Sequence, residues 1–186
     1  MPTHVALLRG VNVGGKNLAM ADLREAVASL GHAGVSTYIR SGNVLFTAGE
    51  GGTAALAAGI ERAITQRTGI ESRVVVLSRG ELERLVRANP YPDEANPKLI
   101  HVLFPVSEPG PELARAVVQA QQQVREKGSR DTARLVDRAV FLHTPDGYGR
   151  SELAVLLGRL GGRQGTAWTA RNWATVTKLL ALCGRD

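Results

Sequence analysis

Val35-Ser36-Thr37-Tyr38-Ile39-Arg40-Ser41-Gly42-Asn43-Val44-Leu45-Phe46-Thr47 reads as two strands joined by a tight turn. Val35–Arg40 is the first strand, Ser41-Gly42-Asn43 the turn and Val44–Thr47 the returning strand. Turn residues between two β-rich runs specify an antiparallel hairpin. On its N-terminal side, His4–Arg9 is an apolar strand closed by Gly10, and Leu23, Val27 and Leu30 recur at helical spacing until Gly31 stops the helix. On its C-terminal side, Leu56, Ile60, Ala63 and Ile64 mark a second helix that ends near Gly69, and Arg73–Leu77 is a strand with three consecutive valines. A hairpin at the centre of a β-α-β-β-α-β order predicts an α+β chain that opens with a ferredoxin-like subdomain and a largely antiparallel sheet.

Further along, Glu81–Ala88 reads as a short helix stopped by Asn89-Pro90-Tyr91-Pro92. Asn89–Lys98 holds Pro90, Pro92 and Pro97, so a linker is expected there, dividing 1–88 from 99–186. Leu99–Phe104, Arg134–Asp137 and Val140–His143 then read as strands, with a helix over Pro111–Val124. Val44–Thr47 falls on Val140–His143 at a shift of 96 residues. The expectation is a second βαββ-type subdomain completed by basic C-terminal helices instead of a full copy.

The chain has 186 residues, 44% hydrophobic and 22% charged, a composition that excludes global disorder. It contains no apolar run near the roughly 18 residues of a membrane span, and no basic region leads into an apolar stretch after Met1. Cys183 is the single cysteine, so no internal disulfide forms; a cytoplasmic protein without a membrane partner is expected. Lys and Arg number 23 against 17 Asp and Glu, a net charge of +6. The excess lies late in the chain, where Arg150, Arg159, Arg163, Arg171, Lys178 and Arg185 face only Glu152 and Asp186. Such an end favours phosphate-bearing partners, although an arginine-, alanine- and glycine-rich composition produces one without any ligand.

Four motifs could carry chemistry. Gly10 to Lys16 fits the G-x-x-x-x-G-K spacing of a P-loop between a strand and a helix. Asn17 stands where magnesium chemistry needs a hydroxyl, however, and an antiparallel order does not suit a P-loop enzyme. What survives is an anion-holding concavity of backbone N–H groups at Gly14 and Gly15, with Arg9, Asn12 and Lys16 beside it; the plain alternative is a crossover that needs glycine. In the hairpin, strand alternation places Tyr38 and Arg40 on one face, able to stack a ring and hold a phosphate, with Asn43 closing the turn. In His143-Thr144-Pro145-Asp146-Gly147-Tyr148-Gly149-Arg150-Ser151, Ser151 is an expected helix N-cap beside Arg150, and His143, Asp146 and Tyr148 could move protons. In Trp168–Leu180, Thr169 is expected to cap a helix whose one face carries Arg171, Thr175 and Lys178. No metal or cofactor is expected, since His4, His32, His101, His143 and Cys183 lack ligand spacing.

Taken together, Leu7–Asn17, Tyr38–Val44, Asp146–Ser151 and Thr169–Trp173 resemble the bacterial domain of unknown function 1697 (DUF1697), over about residues 3–183. The resemblance implies a two-part α+β protein with a ferredoxin-like portion, and it brings no catalytic residues. Function therefore rests on the residues themselves. They favour binding of a phosphate-bearing ligand, nucleic acid or a nucleotide-like metabolite, in a cleft between subdomains. The candidate ligands of that phosphate are Arg9, Asn12, Gly14, Gly15, Lys16, Tyr38, Arg40, Asn43, Tyr148, Arg150, Ser151, Arg171 and Lys178. The competing classes are a metal-independent hydrolase or transferase using His143, Asp146 or Tyr148, and a protein-interaction module without a small ligand.

Overall fold

A computed structural model describes residues 1–15, 17–49, 51–163 and 167–184. The chain falls into two units, Met1–Arg84 with Lys178–Asp186, and Leu85–Thr177.

The first unit runs β1 (His4–Leu8), α1 (Met20–Ala28), β2 (Ala33–Tyr38), β3 (Asn43–Thr47), α2 (Thr53–Thr68), β4 (Val74–Ser78) and then α3 (Arg79–Arg87), which continues into the second unit. Its sheet has the order β2-β3-β1-β4, every pair antiparallel, with His4 opposite both Phe46 and Ser78. One face carries Ala6, Leu8, Val44, Phe46 and Val76, which pack with Leu23, Val27, Ile60 and Ile64 of the two helices. The other face of the same strands, Val5, Leu7, Leu45, Val75 and Leu77, is buried as well. Burial on both faces is why β1 and β4 are unbroken apolar runs and do not alternate. The edge strand β2 is polar and irregular, its register shifting between Ala33 and Ser36, as edges that resist further pairing are. β2 also ends two residues earlier than its sequence suggests: Ile39 has a φ of +49°, so Arg40 belongs to the turn and the strand alternation that paired it with Tyr38 does not reach it.

The second unit runs β5 (Ile100–Pro105), α4 (Pro111–Glu126), β6 (Thr132–Val136), β7 (Ala139–His143), α5 (Glu152–Arg163), β8 (Trp168–Asn172) and the start of α6 (Trp173–Cys183), in the all-antiparallel order β6-β7-β5-β8. Leu103, Val140 and Leu142 pack on Leu113, Val117, Val124, Leu153 and Leu157. The α+β class stands, and this unit goes beyond the expected βαββ pattern. Residues read as a capped helix instead form β8, which makes the second unit a strand-for-strand repeat of the first. His101 lies opposite Leu142 and Asn172, as His4 lies opposite Phe46 and Ser78. The repeat extends to the helix that follows each last strand. Ser78 caps α3, accepting from Glu81 N at 3.2 Å while Ser78 N donates to Glu81 Oε2 at 2.7 Å. Asn172, and not Thr169, caps α6 by accepting from Thr175 N at 2.8 Å.

The segment 89–98 belongs to the second unit, where Thr132 Oγ1 donates to Tyr91 Oη at 3.0 Å and His143 Nε2 meets Glu94 Oε2 at 2.6 Å. Among the described residues no helix is long and apolar enough to cross a membrane.

Candidate functional site

Register decides which loops meet. Leu7 lies opposite Asn43, so the end of β1 and the start of β3 share one edge of the first sheet. The connection that leaves β1, residues 9–19, and the β2–β3 turn, residues 39–42, therefore stand side by side. Gly10, Asn12, Gly14 and Gly15 all hold positive φ, and Val11 and Leu18 anchor the loop from beneath, 3% and 2% exposed.

Asn12 ties the two connections together. Its Nδ2 donates to Arg40 O at 2.7 Å and to Leu18 O at 3.1 Å, while its Oδ1 accepts from Leu18 N at 2.9 Å. These bonds engage both ends of the amide, so Asn12 positions the loop and has little left for a ligand. Asn43, fully buried, acts likewise within the turn: Nδ2 donates to Tyr38 O at 3.0 Å and to Ser41 Oγ at 2.9 Å. Gly42 closes the junction. Its φ is +75°, its carbonyl accepts from Leu8 N at 2.8 Å, and a Cβ there would lie 2.5 Å from Val11 Cγ2 and 2.8 Å from Leu8 Cβ.

Between loop and turn opens a depression of about 580 Å³, lined by Val11–Gly15, Asn17, Arg40 and Ser41. Two of the four expected motifs thus meet within one unit. Among the described residues, the backbone N–H groups of Val13, Gly14 and Gly15 have no hydrogen-bond partner, and Arg40 has no carboxylate partner. Other arginines of the unit are paired: Arg67 with Asp22 and Glu25, Arg73 with Glu61 at 3.1 Å, Arg79 with Glu83 at 3.0 Å. Tyr38 is half-buried at the end of β2. Arg9 lines a different depression, of about 530 Å³, where Glu61 and Glu71 mix with Arg62 and Arg73. Lys16 lies outside the described residues.

The repeat supplies a control for what the fold itself requires. The crossover from β5 to α4, the counterpart of the β1–α1 loop, uses only residues 106–110, and the β6–β7 turn, counterpart of 39–42, only 137–138. The same topological task is completed with about half the chain. Both connections that line the depression are therefore longer than the fold demands, which weighs against a mere glycine crossover.

The second unit distributes its candidates differently. Ser151 does cap α5, accepting from Ala154 N at 2.9 Å, and it donates to the buried carboxylate of Asp131 at 2.7 Å. That carboxylate already supplies the negative charge a helix N-terminus favours. Exposed Arg150 lines a depression of about 250 Å³ there, together with Asp131, Asp146 and Glu152. The three proton-transfer candidates do not converge on common partners. His143 is held by Glu94, which sits below the usual carboxylate range chiefly through the Asn96 N–H and then through His143. Asp146 pairs with Arg130, whose hydrogen bond depresses its pKa. Tyr148 stacks on His101 with ring centroids 4.0 Å apart, and burial raises its pKa.

Arg171 corrects the expected basic helix face. It lies on β8, 8% exposed, donating from its guanidinium to Thr169 Oγ1 at 2.7 Å and Ala170 O at 2.8 Å, and burial lowers its pKa to about 10. Thr175 is buried too, and only Lys178 of the three is exposed, on α6. No group of three or more His, Cys, Asp or Glu side chains among the described residues could hold a metal ion. Sequence reasoning passed over Val13 and Ser41, which line the depression, and Glu94 and His101. Adjacency to Gly14 and Arg40 was the available signal for the first two; none existed for the others.

Comparison with known proteins gives a consistent picture. The family described as a protein of unknown function (DUF1697) matches residues 1–141. No curated protein matches the chain. The solved structure of the conserved bacterial protein SP0830 from Streptococcus pneumoniae is similar over 100% of this chain and 99% of that one, with a TM-score of 0.72 at 24% identity. A likeness at that identity extends to the fold.

Proposed function

The chain belongs to the DUF1697 family, a family of unknown function, and we propose that it binds a small phosphate-bearing ligand of the nucleotide-like metabolite class in the depression between loop 9–19 and turn 39–42. One observation carries the proposal: backbone N–H groups of a glycine loop and Arg40, none of them with a partner among the described residues, line the same depression, on two connections that the sister unit shortens. Backbone amides in successive turn conformations make an anion-holding concavity, and an arginine adds a charge-assisted, two-pronged contact to phosphate oxygens. Ser41 adds a hydroxyl.

A small ligand suits the protein better than nucleic acid. A nucleic-acid surface needs a run of available cations, whereas Arg67, Arg73, Arg130 and Arg138 are paired with carboxylates and Arg171 is buried. Aromatic residues make up only 4% of the chain, too few for a broad stacking platform. The acid–base alternative gains nothing from His143, Asp146 and Tyr148, each engaged by a different partner. The same proposal takes the first unit as ferredoxin-like, on the strength of its β2-β3-β1-β4 order around two helices.

Thermal denaturation of the full chain with and without pyrophosphate, against chloride at equal ionic strength, tests the site. The parent melts at a higher temperature with pyrophosphate. Arg40→Ala alters intrinsic stability by less than about 0.5 kcal/mol and loses about ten-fold or more in affinity. A parent indifferent to pyrophosphate overturns the proposal.

A further inference from the structure

Helix α4 has one side in the core of the second unit, through Leu113, Val117, Ala120 and Val124. On its opposite side Val118 is 63% exposed, the largest share of any large hydrophobic side chain among the described residues. Val118 stands between two hollows. One, of about 520 Å³, is completed by Gln121, Gln122, Arg125 and Glu126; the other, of about 370 Å³, by Ala114, Arg115 and Gln119. Gln122 Nε2 donates to Glu126 Oε1 at 3.3 Å, and Arg115, Arg125 and Glu126 have no ion-pair partner among the described residues. The sister unit provides the contrast. Its counterpart helix α1 is nine residues long against sixteen for α4, and the Asp22 and Glu25 it exposes are paired with Arg67 of α2. The fold therefore calls for neither the added length of α4 nor its unpaired charges.

We propose that this face binds a second copy of the chain, as an antiparallel pair of α4 helices related by a two-fold axis. Under such an axis, residues equally far on either side of it meet across the contact. Arg115 with Glu126, and Gln119 with Gln122, share one midpoint, between Ala120 and Gln121, and all four lie on one helix stripe at i, i+4, i+7 and i+11. A single register thus sets Arg115 of each copy against the partner's Glu126, two ion pairs for one axis, with the glutamines between them. The same register carries Val118 over the hollow of the partner's Gln121, Gln122 and Arg125, a knob entering a hole and leaving water. The stripe is complementary in charge and in shape to itself, which selects a second copy over a foreign partner. One helix face is a small interface, so the copies separate at micromolar concentrations. This inference is independent of the phosphate site.

Sedimentation equilibrium of the full chain from about 5 to 500 μM tests this. The parent follows a monomer–dimer equilibrium within that range. Val118→Arg weakens association about ten-fold or more, and Arg115→Glu does the same by setting like charges against each other. Both variants keep the circular dichroism spectrum of the parent, because the exchanged side chains are on the solvent side of α4. Combining Arg115→Glu with Glu126→Arg exchanges the two signs and restores association to within about three-fold of the parent. A parent that stays monomeric throughout overturns the proposal. So does a dimer unmoved by Val118→Arg, which would lie on another surface, and so does an exchanged pair that fails to restore association.

Discussion

Asn12 offers the sharpest separation of architecture from binding. Its side chain makes three hydrogen bonds to main-chain groups of Leu18 and Arg40, at 2.7 to 3.1 Å, and its φ is +55°. Each bond contributes about 0.5–1.5 kcal/mol net, toward the lower end where water reaches it. Asn12→Gly keeps the backbone conformation and loses the bonds, so it costs about 1.5–3 kcal/mol. Asn12→Ala adds the left-handed penalty of roughly 1 kcal/mol or more. Asn12→Asp retains the acceptor for Leu18 N but turns a carboxylate oxygen toward two carbonyls. Its pKa is raised in the folded protein, so this variant regains stability as pH falls and the protonated carboxyl can donate. Urea denaturation followed by far-UV circular dichroism is the assay, because both tryptophans lie in the second unit and report poorly on this loop. All three variants also weaken pyrophosphate binding, although little of the Asn12 amide is free for it. An Asn12→Ala protein within about 0.5 kcal/mol of the parent would refute the clamp.

Gly42→Ala places a methyl group 2.5 Å from Val11 Cγ2 in a left-handed backbone, and the conformational and steric penalties together predict a loss of about 2–5 kcal/mol in the same denaturation assay. Arg171→Ala empties a buried site and lowers stability, whereas Arg171→Met, which fills it without a charge to desolvate, destabilises less; equal losses in chemical denaturation would contradict that account. Burial holds His101 at a pKa of about 4 from an ordinary 6.5. The unfolded chain therefore binds more protons across that window, and stability falls as pH drops from 6.5 toward 4. His101→Phe removes this part of the decline, which stability measurements along a pH series will detect.

Much of the first unit was legible because its physics is local. Strands buried on both faces are continuous apolar runs, helices keep their spacing, and the hairpin between them rules out the parallel sheet of a P-loop enzyme. β8 was not legible. Thr169 and Asn172 are both good caps, and Arg171 is a residue that hydropathy assigns to solvent, yet it lies in a buried strand position opposite Val102. One nitrogen of its guanidinium donates to Thr169 and Ala170 beside it and burial shifts its pKa, and no sequence pattern announces either. At the site, the glycine loop and the hairpin turn were each visible as motifs, and antiparallel order brings their ends to one sheet edge. The roles within it were not visible. Asn12 and Asn43 resemble ligand-binding amides in sequence, but they bond groups of the protein itself, among them backbone carbonyls up to 28 residues away. That distinction depends on register, which is set by the whole sheet.

The central claim is that loop 9–19 and turn 39–42 form one anion site. Titrating isotope-labelled protein with pyrophosphate and following backbone amide resonances tests it most directly. The amides of Val13, Gly14, Gly15 and Ser41 shift together along one saturable curve in the parent, and that curve moves to higher concentration in Arg40→Ala. Shifts confined to the second unit, or no saturable shift at Gly14 and Gly15, would contradict the claim.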